Sequence, residues 1–381
     1  PTSPGEAAAT RPYIGGQAVI EGVMMRSPGS ISIVCRKRSG ELVVHERPMP
    51  ASSKGPRSWP FVRGVMTVVE SVRLGSRALR WSADIFEQDM EGSDKDESGK
   101  ASTSAKASPV SSAFSALAHG VVALAAQDGN GFAPAPAGDG DAKKSGGLLT
   151  WLPLVFAIGL FVALPQLGAE GVNKLLGLEL EVTSPLFQAI TGGAKLVIVV
   201  GYLLLIRQIA EIRRVFQYHG AEHKTISTYE AQQALVVDNA RKMTTLHPRC
   251  GTTFLVMVAL VSILVFTVVG AFLPVLPGGR VTQSIGFFFM KLPFLPVVAS
   301  VTFEIQRVFA RYCTTGPLRA LLWPGFLVQK ITTAEPDDEQ LEVALASLRA
   351  TLWREEAVTA PTVPDRVFQD YEKLIADPGY A

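Results

Sequence analysis

The chain has 381 residues, of which 48% are hydrophobic and only 18% are charged, and its mean hydropathy is +0.25. Soluble domains carry about 25% charged residues, so this composition predicts an integral membrane protein with substantial soluble parts. The net charge of +2 gives no strong basic field, and nucleic acid is therefore not an expected partner. Three widely spaced cysteines, Cys35, Cys250 and Cys313, are expected as free thiols rather than as a disulfide framework.

The first 86 residues change character twice. Residues 1–12 are polar and rich in Pro and Ala, which predicts a disordered leader without the apolar core of a signal peptide. Residues 13–58 alternate and predict short antiparallel β-strands with a hairpin at Ser39-Gly40. Residues 59–86 have helical spacing with interspersed arginines. This pattern predicts an amphipathic helix that lies either on an anionic membrane surface or on the protein's own core.

A linker and a membrane domain follow. Residues 87–146 are rich in Ser, Ala, Gly, Asp and Lys and cannot bury enough apolar surface to fold, so we expect a disordered linker or insertion. Residues 147–312 predict a four-span membrane domain with a cytoplasmic loop at 207–250. The candidate spans are 148–167, 185–206, 251–273 and 281–308. No helix breaker separates the second span from the loop, which predicts one continuous helix.

The basic residues indicate the orientation of these spans. Seven of them lie in the loop at 207–250, whereas the two opposite loops contain only Lys174 and Arg280. The positive-inside rule then places both termini in the cytoplasm. Residues 313–353 predict interfacial and amphipathic cytosolic helices, and 354–381 form a tail. The predicted fold class is mainly α: a polytopic helical membrane protein with about four transmembrane helices and a small N-terminal segment containing a β-hairpin.

The stretch His219-Gly220-Ala221-Glu222-His223 in the cytoplasmic loop has the pattern H-x-x-E-H. On a helix, positions i and i+4 share a face, so both imidazoles can face one metal ion. A carboxylate beside a two-histidine zinc site can take the proton of a metal-bound water, which makes Glu222 the candidate catalytic base. The same order of residues defines the inverzincin pattern, the reverse of H-E-x-x-H.

Other residues can complete such a site. The third ligand is His247, Glu304 near the cytoplasmic end of the fourth span, or Glu230, about three helical turns after His219. His247 and Cys250 form a His-x-x-Cys pair at a spacing common among zinc ligands, so Cys250 is a further candidate. The predicted topology brings His247, Cys250 and Glu304 to one membrane face.

Three interpretations of this constellation compete. In the first, the two histidines of the motif and one further ligand hold zinc with an open position for water, and Glu222 is the general base. In the second, the two histidines, His247 and Cys250 close a tetrahedral structural site. In the third, no metal binds, and Glu222 and Glu304 pair with neighbouring arginines.

Four segments of the chain are distinctive. They are GGQAVIEGVMMR at 15–26, YHGAEHK at 218–224, HPRCGT at 247–252 and, at 332–340, Thr332-Thr333 followed by EPDDEQ. These segments resemble the YqhQ-like bacterial membrane proteins, and the resemblance covers about residues 13–86 and 148–352. That family carries the description of predicted metal-dependent enzyme without an established reaction. The resemblance therefore implies a membrane protein with a metal site, carried over to His219, Glu222, His223, His247, Cys250 and Glu21.

We therefore predict a multi-pass protein of the bacterial inner membrane that is a metal-dependent, hydrolytic enzyme. Its cofactor is zinc or another divalent metal, and its substrate is a lipid or a segment of a membrane protein. The alternative is a non-catalytic membrane scaffold or transport accessory protein with a structural zinc site or no metal. Membrane lipid is the expected partner, and the sequence leaves homo-oligomerisation open.

Overall fold

The computed structural model of the chain describes residues 11–49, 59, 62–97, 159–312, 317–357 and 364–380. Within these ranges it has five β-strands and eleven α-helices. The strands are β1 (Gly15–Val19), β2 (Gly22–Arg26), β3 (Ser30–Arg36), β4 (Leu42–Pro48) and β5 (Arg366–Phe368). The helices are α1 (Val62–Glu97), α2 (Leu164–Leu175), α3 (Pro185–Ile206), α4 (Ala210–Glu230), α5 (Val237–Arg241), α6 (Gly251–Gly270), α7 (Arg280–Lys291), α8 (Leu295–Tyr312), α9 (Trp323–Thr332), α10 (Asp338–Glu356) and α11 (Tyr371–Ile375). Most of the predicted leader, the predicted linker beyond Glu97, and Cys313 lie outside the described residues.

The strands form one antiparallel sheet in the order β1-β2-β3-β4-β5, and both of its faces are covered. Ser32 in β3 donates a hydrogen bond to the carbonyl of Ser347 on α10 at 2.6 Å. Its neighbours Ile31 and Ile33 point to the other face and pack around Ala78 of α1. The alternation of residues 13–58 therefore belongs to a sheet that is buried between two helices.

One strand of this sheet was missing from the prediction. The predicted hairpin joins β3 to β4, and Gly40 has a φ of 92°, in the left-handed region that favours glycine. The sequence did not predict β5, which pairs with Leu42, Val43 and Val44 of β4. Three residues are too few to show a strand period, so only the pairing itself reveals this strand.

Helix α10 covers the face of the sheet that also packs on α4. Asp337 caps the helix, because its Oδ1 accepts a hydrogen bond from the backbone N–H of Gln340 at 2.8 Å. The backbone N–H of Asp337 in turn donates to Gln340 Oε1 at 3.0 Å, which completes a capping box. Leu345 and Leu348 of this helix are fully buried.

The predicted amphipathic helix at 59–86 is α1, which continues to Glu97 and thus extends into the predicted linker. In its carboxyl-terminal half, Asp89 accepts a hydrogen bond from the backbone N–H of Arg38 at 2.9 Å. In its amino-terminal half, Gly64 packs so closely on α8 that an added Cβ would lie 3.0 Å from Phe303. The protein's own core therefore covers α1 along much of its length.

Three helical segments among the described residues are long and apolar enough to cross a membrane: Pro185–Ile206, Gly251–Gly270 and Thr282–Phe309. Exposed apolar side chains on them include Val197, Leu205 and Leu264, as expected where lipid surrounds a helix. The third segment joins α7 to α8 through a 3-10 turn at Leu292–Phe294, which contains Pro293. Residues 148–158 of the first candidate span lie outside the described residues. The remainder of this span consists of a π-helical turn at Gly159–Ala163 and the start of α2.

The second span and the H-x-x-E-H stretch lie on separate helices, so the prediction of one continuous helix was wrong. α3 ends at Ile206, and α4 begins at Ala210. Between them, the guanidinium of Arg207 donates hydrogen bonds to the carbonyl oxygens of Lys330 and Ile331 at the end of α9. α4 then packs against β1 and α10. The break therefore turns the motif towards the soluble part of the protein.

Candidate metal centre

Helix α4 carries His219, Glu222 and His223 on one face, as the i, i+4 spacing predicts. The two imidazole rings lie edge to face with centroids 4.5 Å apart. The helix can come close to its neighbours here because the motif contains small residues. At Gly220, an added Cβ would lie 2.1 Å from the carbonyl oxygen of Ala334, so the segment after α9 packs directly on the backbone of α4.

Backbone carbonyls fix the orientation of both rings. The Nδ1 of His219 donates to the carbonyl oxygen of Thr332 at 2.9 Å, and the Nδ1 of His223 donates to that of Thr245 at 2.5 Å. A carbonyl oxygen can only accept, so both Nδ1 atoms carry the proton in these contacts. In a neutral ring, Nε2 is then left with a free lone pair. This is the arrangement in which histidine binds metals.

Cys250 brings a thiol to the same place. It caps the amino terminus of α6, where its Sγ accepts a hydrogen bond from the backbone N–H of Thr252 at 3.4 Å. The Sγ lies 3.2 Å from Nε2 of His219. One ligand atom each of His219, His223 and Cys250 lie within 4.8 Å of one another.

The charges of Cys250 and His219 depend on each other. Burial alone would raise the pKa of the Cys250 thiol, but His219 and His223 hold it well below its ordinary value. Burial alone would lower the pKa of His219, but Cys250 and Glu222 raise it to about 9. Each of these two groups therefore favours the charged form of the other.

Glu222 is buried beside this cluster, with 5% of its surface exposed. Burial raises the pKa of its carboxyl group, an effect that His223 and His219 partly oppose. Strand β1 closes over the carboxyl group at Gly16, where an added Cβ would lie 2.8 Å from Glu222 Oε1. The role of Gly16 could not be predicted from the sequence, because nothing local connects it with a residue more than 200 positions away.

His247 lies next to the cluster but points its Nε2 elsewhere. Its ring centroid is 5.7 Å from that of His223, and its Nε2 is 3.3 Å from Glu230 Oε2. Glu230 also accepts a hydrogen bond from Arg249. The buried amide of Gln329 holds the backbone of His247 by accepting from its N–H and donating to its carbonyl, both at 2.8 Å. His247 and Glu230 are therefore paired with each other.

Two other predicted ligands lie outside the cluster of three. Glu304 binds Arg63 of α1 through two hydrogen bonds, of 2.8 and 2.6 Å. Glu21, at a positive φ of 50° between β1 and β2, accepts a hydrogen bond from Arg214 at 2.5 Å and one from Tyr218 at 3.3 Å. Each carboxylate thus has a cationic partner of its own.

The cluster has the donors that a zinc site requires. Zinc is commonly held by imidazole nitrogens and thiolates, and catalytic zinc sites keep three protein ligands and one open position. The Nε2 of His223 is buried and has no hydrogen-bond partner within the described ranges. A metal ion would give this atom a partner, so the residues present fit a divalent metal.

Comparison with known sequences places the chain in a family. The profile of DUF1385, described as "Protein of unknown function", matches residues 59–354, which is more than half of the chain, and the chain therefore belongs to this family. Uncharacterized protein YqhQ of Bacillus subtilis strain 168 is 28% identical over 351 residues, covering 90% of this chain and 92% of YqhQ. The resemblance to YqhQ-like proteins is thereby confirmed. No solved structure matches the chain.

Proposed function

We propose that this chain is a membrane-bound, metal-dependent hydrolase whose zinc or other divalent ion is held by His219, His223 and Cys250. One observation carries the proposal: both Nδ1 atoms are bound to backbone carbonyls, which leaves the two Nε2 atoms beside the sulfur of Cys250. Cys250 takes the place of the predicted third ligand, which was His247, Glu304 or Glu230. His247 stays beside the site and orients the loop before α6.

The chemistry proposed for the site follows from its residues. A zinc ion held by three protein ligands supplies an acidic bound water. Glu222 is the candidate base that accepts the proton of this water. Burial raises the pKa of Glu222, which brings it closer to the value that suits a general base near neutral pH. The close contact with β1 limits the access of bulk water to its carboxyl group.

The substrate class follows from the location of the site. The cluster lies at the amino terminus of α6, a helix apolar enough to cross a membrane. A substrate would therefore be met at the membrane surface, which favours a lipid or a segment of a membrane protein over a nucleic acid. By the positive-inside rule, this surface is the cytoplasmic face of the bacterial inner membrane.

A non-catalytic scaffold or transport accessory protein is the second candidate function. The contact between His219 Nε2 and Cys250 Sγ favours it, because each of these atoms already has a partner without a metal ion. In a variant of this candidate, the metal is structural and His247 turns to complete a closed tetrahedral site. Metal content and its dependence on single residues distinguish these candidates.

Metal analysis of the purified full-length chain is the first test. We expect about one zinc ion per chain, and a loss of most of it in His219→Ala, His223→Ala and Cys250→Ala. Cys35→Ser, which removes a thiol outside the cluster, is the matched control for Cys250→Ala. Glu304→Gln is a second control, because Glu304 was a predicted ligand but lies outside the cluster. Neither substitution should change the zinc content. If the native chain holds less than about half an equivalent of zinc, and if His219→Ala does not lower this amount, the site binds no metal.

Glu222→Gln separates catalysis from a structural role. The substitution removes the base but none of the proposed ligands, so the chain should keep its zinc. Hydrolysis would be followed by mass spectrometry of lipids incubated with the zinc-loaded chain. We expect hydrolysis by the native chain and a loss of about a hundredfold or more in Glu222→Gln. Equal product from the two chains would assign the site a structural role.

A further inference from the structure

One face of helix α1 packs on the protein, and the opposite face is open. Along the packed face, Gly64 lies against α8, and Ala78 is buried against the sheet. The open face begins with valines three and four residues apart, which lie on one side of a helix: Val62, Val65, Val69 and Val72. Three of these valines expose between 41% and 55% of their surface. A helix normally buries such a stripe in apolar surroundings.

The contact with α8 shows how deep this stripe lies. A Cβ added to Gly64 would lie 3.1 Å from the Cα of Ser300 and 3.0 Å from the Cβ of Phe303. These two residues are nine and six positions before the end of the membrane segment Thr282–Phe309. At 1.5 Å per residue, the contact is about 9 to 14 Å inside that end of the segment. Half of the hydrocarbon layer is about 15 Å thick, so α1 begins within one leaflet.

The charges near the start of α1 fit this position. Arg63 is bound to Glu304 of α8 by two hydrogen bonds, so the two charges neutralise each other, as is usual for ionisable groups at such a depth. Gln306, two residues after Glu304, donates a hydrogen bond to the carbonyl of Cys250 at 3.5 Å. The leaflet that contains the start of α1 is therefore the one on the side of the histidine cluster.

Helix α1 leaves the membrane on its way to the sheet. It starts beside α8, and its buried Ala78 lies on the sheet, so both helices run towards the histidine side. Arg73 follows Gly64 by nine residues, which is about 14 Å along a helix. Phe309 follows Ser300 by the same number of residues. Arg73 therefore lies near the level of the membrane surface.

The open face of α1 changes from apolar to basic at this level. Arg73, Arg77 and Arg80 are exposed, and their spacing of four and three residues places them on one side of the helix. The only acid among residues 62–83 is Glu70. Arginine forks bind phosphate groups, and anionic lipids attract basic segments at the membrane surface. The order along α1, apolar and then basic, is thus the order of a leaflet from its interior to its headgroups.

We propose that the first three turns of α1 are embedded in the leaflet on the histidine side, and that its three exposed arginines bind the phosphate groups of anionic lipids. The bilayer covers the open face, because α1 lies beside α8, which itself exposes Val297 and Val308. A protein partner would fit poorly, because the cores of protein interfaces are depleted of charge. The sequence pattern allowed either the membrane or the protein's own core, and the structure gives α1 one face for each. The proposal does not depend on metal binding by the histidine cluster.

Nitroxide labels test the depth of α1. The full chain with Cys313→Ser and one introduced cysteine is reconstituted into vesicles of phosphatidylcholine and phosphatidylglycerol. Labels at Val62→Cys and Val69→Cys should be accessible to oxygen, which concentrates in the bilayer, and shielded from a water-soluble nickel chelate present on both sides. Val236→Cys is the matched control, because Val236 is 44% exposed against 41% for Val69 but directly precedes α5, which packs on α10. This control should be accessible to the chelate.

Two outcomes of this measurement would overturn the proposal. Equal access of the chelate to Val69→Cys and Val236→Cys would place the open face of α1 in water. Dipolar coupling between labels at Val69→Cys of different chains would show that a second copy of the chain covers the face.

Lipid binding tests the arginines. Native mass spectrometry of the full chain in detergent measures the dissociation constants of phosphatidylglycerol and phosphatidylcholine. Arg77→Gln and Arg80→Gln should each weaken binding of phosphatidylglycerol about fivefold and leave that of phosphatidylcholine unchanged, because each removes a positive charge near the membrane surface. Lys373→Gln, at an exposed position on α11, is the matched control and should change neither. Arginine variants that bind phosphatidylglycerol as Lys373→Gln does would refute the contact with headgroups.

Discussion

At the scale of single residues, the candidate site depends on contacts that local sequence does not encode. The spacing of His219 and His223 was enough to predict a shared helix face, and the His-x-x-Cys spacing was enough to suggest Cys250. The carbonyls of Thr245 and Thr332 that aim the two rings could not be predicted, because they come from segments that meet α4 only in the folded chain. For the same reason the pairing of Glu304 with a residue 241 positions away was missed.

Gly16 provides a residue-scale prediction. An alanine at this position would place a Cβ 2.8 Å from the carboxyl group of Glu222, which cannot move freely because it is buried. We expect Gly16→Ala to destabilise the chain by about 1–3 kcal/mol, measured as a lower melting temperature in detergent. Gly15→Ala is the matched control, since the atom nearest to its added Cβ would be Arg26 Nε, at 3.8 Å. Equal melting temperatures for the two variants would refute the close contact.

At the scale of helices and strands, sequence patterns predicted the elements whose ends are set by neighbouring residues. They missed the elements whose ends depend on contacts with distant parts of the chain. Helix α10 was predictable because its capping box lies within four consecutive residues, Asp337 to Gln340. The break between α3 and α4 contains neither proline nor glycine. It coincides with the hydrogen bonds from Arg207 to the end of α9, more than 120 positions later. Strand β5 likewise exists only through its pairing with β4.

Asp365 lies directly before β5 and contacts both β4 and α1. Its interactions lead to a prediction about the pH dependence of stability. It contacts His45 Nδ1 of β4 at 2.6 Å and accepts a hydrogen bond from Trp81 Nε1 of α1 at 2.9 Å. Burial alone would raise the pKa of Asp365, but His45, Trp81 and Arg47 hold it below the usual 3.8. A lowered folded pKa adds stability that is complete above 3.8 and disappears as the pH falls through the folded value.

We therefore expect Asp365→Asn to lower the free energy of unfolding by about 1 kcal/mol at neutral pH, since the side chain is one-third exposed. The difference from the native chain should shrink as the pH falls below 3.8 and through the lowered pKa of Asp365. Melting temperatures recorded across this pH range provide the measurement. The exposed Glu372 supplies a control, Glu372→Gln, without such a pH dependence. A cost for Asp365→Asn that stays constant down to low pH would exclude the proposed linkage.

At the scale of the whole molecule, the described elements constrain the number of membrane crossings. The sheet packs on α4, which begins shortly after the end of α3. Gln306, near the end of α8, donates a hydrogen bond to the carbonyl of Cys250 at 3.5 Å. The sheet, the histidines and these helix ends therefore share one side. With α3 as a membrane span, its start lies on the other side. We therefore predict a further crossing between Glu97 and Pro185, and 148–167 is an apolar stretch long enough for it.

We predict that 148–167 is a fourth span, which single introduced cysteines can test in a chain with Cys313→Ser. Leu176→Cys is placed on the side away from the histidines, and Glu87→Cys and Gln233→Cys on the histidine side; all three positions are exposed. In intact cells, a membrane-impermeant maleimide should label only Leu176→Cys, and the other two should react after permeabilisation. Glu87 precedes the candidate span and Leu176 follows it, so labelling of both cysteines in intact cells would rule out the fourth crossing. Labelling of Gln233→Cys in intact cells would rule out the crossing by α3.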